Sequence, residues 1–182
     1  TGVIDTAIED LSEISSDLNE NDLILICVPT LEFESVLREC RRLLRDCVTI
    51  TDVCSVKGYT VETARAVYGF EPVQYVPGHP IAGSEKSGMV AAAPGLFANH
   101  LVILTPTLKT GQKNLQHVKS LWERFGASVC YMDTSRHDKI LASTSHLPHM
   151  LAYSLVATLA SRADYQDIFR FAAGGFRDFT RI

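Results

Sequence analysis

The tract VPGHPIAGSEKSG, Val76 to Gly88, sets a single histidine between a glycine and a proline, then adds glycines, small hydroxyl residues and the Glu85-Lys86 pair. Pro80 restricts the backbone of His79 to extended conformations, and Gly78 lets another group approach closely. An isolated histidine is ordinarily a solvated loop residue. In this frame His79 has a fixed direction, and an imidazole with an ordinary pKa of about 6.5 is well matched to general-base work at neutral pH. A second polar tract, CSVKG, places Ser55 upstream of His79. Its hydroxyl could cap a turn, or bridge imidazole, substrate and cofactor. No G-x-S-x-G elbow marks a nucleophilic serine. Lys57 is expected to be solvated unless its ammonium reaches an anion.

Two further clusters stand near the C-terminal end. In TSHLPHM, His146 and His149 are three apart at a helix start, but a third ligand at metal-site spacing is lacking, so no metal is expected. In GGFRDFTRI, Arg177, Asp178 and Arg181 concentrate charge. Asp178 could pair with an arginine at a helix terminus, or Arg181 could offer its guanidinium fork to a substrate carboxylate.

The elements that must position these residues alternate in type. Buried-strand runs are LILICV, CVTITDV, VQYV, LVILTP and SVCYM, separated by helical spacing through Thr30–Cys40, Val61–Tyr68 and Gly111–Phe125. In the last of these Leu115, Val118, Leu121, Trp122 and Phe125 are predicted to face inward. The pattern predicts an α/β fold with a mostly parallel sheet covered by helices on both faces. Ligands of such sheets collect beyond the carboxyl ends of the strands. Val28-Pro29-Thr30, the turn Cys54-Ser55-Val56-Lys57-Gly58 and Gly78-His79-Pro80 each follow a predicted strand and are expected along one rim. From Ser135 onward no strand pattern appears, and Pro148 predicts a new helix starting near Ser145 or His146. We divide the chain into residues 1–132 and a helical part from 133 to 182.

Composition excludes several classes. The 182 residues are 46% hydrophobic and 21% charged, values of an ordinary globular protein. No apolar run is long enough to span a bilayer. A net charge of −4, with basic residues gathered only on the Arg38–Arg45 helix face, argues against nucleic-acid binding. Five scattered cysteines without a CxxC suit reduced thiols, and with no secretion signal the expected location is cytoplasmic.

The strings TDVCSVKG, GHPIAGSEKSG, LVILTP, STSHLPHMLAYSLV and GGFRDFTRI, in this order along essentially the whole chain, resemble the prephenate dehydrogenase family of tyrosine biosynthesis, in its proteobacterial prephenate or cyclohexadienyl form. The resemblance implies a Rossmann domain binding NAD, or NADP, followed by a helical domain that forms a homodimer, with the active site in the cleft between them. It implies oxidative decarboxylation of prephenate to 4-hydroxyphenylpyruvate. By motif, His79 polarises the ring hydroxyl and Ser55 orients both that histidine and the nicotinamide. His149, Arg181, Ser145 and the entrance residue Glu85 contact substrate, while Val28, Pro29, Thr30, Cys54 and Ser55 line the cofactor. The family's first strand and its GxGxxG turn have no counterpart in these residues, nor do its last helices, so the sequence reads as a piece of a longer protein. Arogenate dehydrogenase is the near alternative. A β-hydroxyacid dehydrogenase would need a catalytic lysine in the helical part, where Lys139 stands in no matching context. A dimerising module that has lost its chemistry would show a broken His79 or Arg181.

Overall fold

The computed structural model describes residues 4–83 and 92–181. Their contacts form two compact units. The first comprises the described residues up to 82 together with 97–137, and the second residues 83, 92–96 and 138–181.

In the first unit β1 (Leu23–Ile26), β2 (Thr49–Asp52) and β3 (Tyr75–Val76) form a parallel sheet in that order. A second sheet runs β4 (Gly78–Ile81), β5 (Leu101–Leu104), β6 (Ser128–Tyr131), with β5 and β6 parallel and β4 antiparallel to β5. Three of the four pairings are parallel, so the expected α/β class holds. Alternation along each strand divides the core. Ile24, Ile26, Ile50 and Tyr75 join one cluster with Phe33, Leu37 and Cys40 of α1 (Phe33–Leu43) and with Ala64 and Tyr68 of α2 (Lys57–Tyr68). Leu23, Leu25, Val76, Val102 and Leu104 join the other, with Val118 and Trp122 of α3 (Gln112–Arg124). Strands buried on both faces explain why their sequences are apolar or threonine-rich throughout rather than alternating with charge.

The helices end where backbone chemistry requires. In α1 the buried residues recur at helical spacing, and the basic face is answered by acids: Arg38 with Glu34 at 2.7 Å and Arg41 with Asp46 at 2.9 Å. Helix α2 stops at Gly69, whose φ of 78° is a left-handed cap that a side chain would strain.

Four expectations need correction. The tract after VQYV is not a rim loop: Val73 and Gln74 lie in a turn, Pro77 interrupts the extended run, and Gly78–Ile81 continues it as β4. Thr105 N donates to Pro77 O at 3.0 Å, so by antiparallel alternation Pro80 falls where its missing N–H would have faced away from β5. Pro80 therefore costs no ladder bond. Second, α2 begins at Lys57, taking in Lys57 and Gly58, which were expected in a turn. Third, Phe125 is 45% exposed, because it caps the end of α3 just before Gly126 turns the chain. Fourth, the helix that starts at Leu147, with Pro148 in its first turn as expected, is not set off from the one before it. In the second unit α4 (Thr134–Leu141), which begins in the first, passes through a wider π turn over Ala142–His146 directly into α5 (Leu147–Ala160). Pro148 lacks the N–H that would close a regular turn, and the widened helix absorbs that loss. Helices α6 (Tyr165–Arg170) and α7 (Gly174–Thr180) complete this unit, both packing on α5.

Candidate active site

The register of β1 against β2, Leu23 with Thr49 through Ile26 with Asp52, brings their carboxyl ends level. Val28-Pro29-Thr30 leaves the first and Cys54-Ser55 the second, so these cofactor candidates share one edge of the first unit. Val28, Thr30 and Ser55 are half-buried there and Pro29 is exposed. Cys54 is buried; desolvation, then the neighbouring charge of Asp52, push its thiol up to about 11. The same two causes raise Cys27. All five cysteines stand as free thiols, and these two are neutral at physiological pH, without nucleophilic character.

Beneath this edge lies a buried polar knot. Asp52 is fully buried, and its carboxylate accepts from Cys54 N at 2.9 Å, from Tyr75 Oη at 2.8 Å and from Gly78 N at 3.3 Å. Lys57, also fully buried, forms an ion pair with the same carboxylate and donates to Gly78 O at 2.7 Å. Lys57 is thus not solvated: the anion it reaches is Asp52, inside the fold. Burial, then the adjacent Asp52 charge, hold the Tyr75 hydroxyl well above its ordinary range, so it stays protonated as a donor. A Cβ on residue 78 would meet Asp52 O at 3.0 Å and Leu104 Cδ2 at 3.3 Å. Glycine is therefore what lets β4 press against the end of β2. The knot grips both the N–H and the carbonyl of the residue preceding His79.

His79 itself is half-buried on β4, opposite Ile103. Its Nδ1 lies 2.9 Å from Nε2 of the fully buried His137, the two rings meeting edge to face with centroids 5.1 Å apart. Neither His137 nor the Asp52–Lys57–Tyr75 knot was singled out from the sequence. For the knot a signal existed, since TDVCSVKG carries an acid and a lysine five apart in an otherwise apolar, buried-strand context. For His137, within SRHDK, none did.

The other candidates belong to the second unit. His149 Nδ1 lies 2.6 Å from Ser145 O. A carbonyl can only accept, so Nδ1 carries the proton and Nε2 is directed away from the helix backbone. Arg181 is exposed at the end of α7, where its N–H donates to Arg177 O at 2.9 Å. Glu85 lies outside the described residues.

Residues 1–131 match the family described as the prephenate dehydrogenase nucleotide-binding domain. The chain belongs to the prephenate dehydrogenase family. Residues 133–182 match the description of the same family's dimerization domain. Among prephenate dehydrogenase relatives, the Zymomonas mobilis cyclohexadienyl dehydrogenase is 36% identical over 172 residues, which is 93% of this chain and 58% of that protein. The Bacillus subtilis prephenate dehydrogenase is 38% identical over 183 residues, 100% of this chain and 48% of that one. The solved Aquifex aeolicus prephenate dehydrogenase in complex with hydroxyphenyl propionate and NAD+ superposes with a TM-score of 0.79 at 40% identity, covering 88% of this chain and 55% of its own. The chain thus spans about half to three-fifths of the length of these family members.

Proposed function

We propose that the full-length protein is an NAD+-dependent dehydrogenase converting prephenate to 4-hydroxyphenylpyruvate and CO2, with His79 as general base. The observation that carries this reading is the half-buried His79 ring, oriented by β4 and engaged through Nδ1 by His137. The level carboxyl ends of β1 and β2 offer two small hydroxyls, Thr30 and Ser55, on a half-buried edge. That suits the flat, amide-bearing nicotinamide, which Val28, Pro29, Thr30, Cys54 and Ser55 would hold. NAD+, or NADP+ in its place, supplies the hydride acceptor when bound.

The protein's own residues then have two tasks. The imidazole takes the ring hydroxyl's proton as that carbon becomes a carbonyl, and returns it to the phenol once CO2 has left and the ring is aromatic. Aromatisation supplies much of the driving force, which leaves alignment and electrostatics to the protein. Ser55 helps orient the imidazole. Arg181 takes one of the two carboxylates, with His149, Ser145 and Glu85 as further substrate contacts. We place the nucleotide-binding part at residues 1–132 and the helical, dimer-forming part from 133. A homodimer through that part is supported by α5, where Leu147, Met150, Leu151 and Tyr153 are all more than half exposed. No described helix is long and apolar enough to cross a membrane.

NADH formation by the purified full-length protein, measured with prephenate and separately with arogenate, tests the reading. Reduction with prephenate is expected. Reduction with arogenate alone would move the assignment to the amino-bearing substrate, and none with either would leave a binding module. In the same assay Arg181→Ala should raise the Michaelis constant for prephenate about 10- to 100-fold, the worth of one charge-assisted hydrogen bond. Its effect on NAD+ should be small, and an unchanged constant for prephenate would remove Arg181 from the substrate site.

A further inference from the structure

Two imidazole nitrogens 2.9 Å apart share a hydrogen bond only when one carries a proton and the other a lone pair. Which way the bond runs decides what His79 can do. If His137 donates, His79 has its proton on Nε2 and presents a donor to its ligand. If His79 donates from Nδ1, its Nε2 is a lone pair and can accept one.

We propose that His137 is a positioning residue whose Nε2 accepts from His79 Nδ1–H, fixing both the tautomer and the ring plane of His79. The proposal rests on the reading of His79 as base, which requires the lone pair on Nε2. Geometry supports the role in three further ways. His137 is fully buried while His79 is half-buried, so the pair has an inner and an outer member. The inner ring is anchored by the first turn of α4, where His137 N donates to Asp133 O at 2.8 Å and Arg136 N to Asp133 Oδ1 at 3.1 Å. The outer ring is anchored by the β4–β5 ladder on one side and the Asp52–Lys57 grip on Gly78 on the other. Neutral imidazole in water carries its proton mainly on Nε2, so a base working through Nε2 needs a fixed acceptor at Nδ1. When Nε2 gains the substrate proton, the Nδ1–H bond to His137 becomes charge-assisted and strengthens as the imidazolium forms.

The test combines ring-nitrogen NMR with steady-state kinetics on the full-length protein, comparing wild type with His137→Leu, His137→Asn and His137→Gln. Long-range proton–nitrogen correlations, assigned with His79→Asn, read the tautomer directly. In wild type His79 is expected to carry its proton on Nδ1. In His137→Leu, and in His137→Asn whose amide is too short to reach, the proton should move to Nε2. Turnover in both should fall roughly 100-fold, with the Michaelis constant for prephenate within about twofold. The glutamine amide oxygen reaches the place of Nε2, so His137→Gln should restore the Nδ1 proton and most of the turnover. A wild-type His79 protonated on Nε2 would overturn the proposal, as would a tautomer unchanged in the folded Asn variant. A tautomer that moves while turnover stays at the wild-type value would uphold the positioning and sink the reading of His79 as base.

Discussion

His79→Asn should lower turnover about 10²- to 10⁴-fold, the usual worth of a positioned general base. The substitution is selective. An asparagine amide ends near the place of Nδ1, so it can keep the contact that His79 makes with His137 while removing Nε2 altogether. Backbone geometry should survive as well, because β4 is held by its ladder with β5 and by the two bonds to Gly78, none of which involves the imidazole. NAD+ affinity is therefore expected to stay near wild type, and the loss should lie in turnover rather than in substrate binding. Steady-state kinetics with prephenate, alongside NAD+ titration of the same preparation, separates these effects. Wild-type turnover in the variant would take His79 out of the chemistry.

Lys57→Met should cost about 3–5 kcal/mol of folding stability, a large share of the roughly 5–15 kcal/mol that holds a typical domain. The methionine side chain is one atom shorter but close in volume, so the change removes a charge and leaves the packing largely filled. What remains is a fully buried carboxylate, Asp52, that keeps the neutral donors Cys54 N, Tyr75 Oη and Gly78 N but has lost the Lys57 cation, and a Gly78 carbonyl deprived of its bond from Nζ. An unpaired buried charge is the expensive outcome, more than the loss of the pair's mutual attraction. Adding Asp52→Asn to Lys57→Met should therefore recover part of the stability. Urea unfolding of the full-length protein measures both variants. A single variant unfolding within about 1 kcal/mol of wild type would mean that Asp52 is not charged, or not dry, in the folded protein.

The contrast between these two residues shows where the sequence is informative. His79 stands out in the sequence because Gly-His-Pro constrains its own backbone, an effect contained within three residues. The place of Lys57 stayed open between solvent and an anion, because it depends on what lies above and beside it. A lysine after a strand is ordinarily solvated, and only the approach of Gly78 and Asp52 encloses this one. Helix α1 was legible from the spacing of Phe33, Leu37 and Cys40. The π turn before α5 was not, since Pro148 signals a break in hydrogen bonding without saying whether the helix stops or widens.

The sequence by itself determined the described strands other than β4, most of the helices, the α/β class, and the motifs that carry the family resemblance. Each depends on periodicity, turn chemistry or unbroken strings, all of which are local. Only the tertiary structure decided that the strand carrying His79 runs antiparallel to β5, and that Asp52 and Lys57 pair inside the fold. It also brought His137, 58 positions away, against the imidazole of His79. Periodicity tells which face of an element is buried; the partner that buries it is set by long-range packing, through which residues far apart in the chain come to share one hydrogen bond.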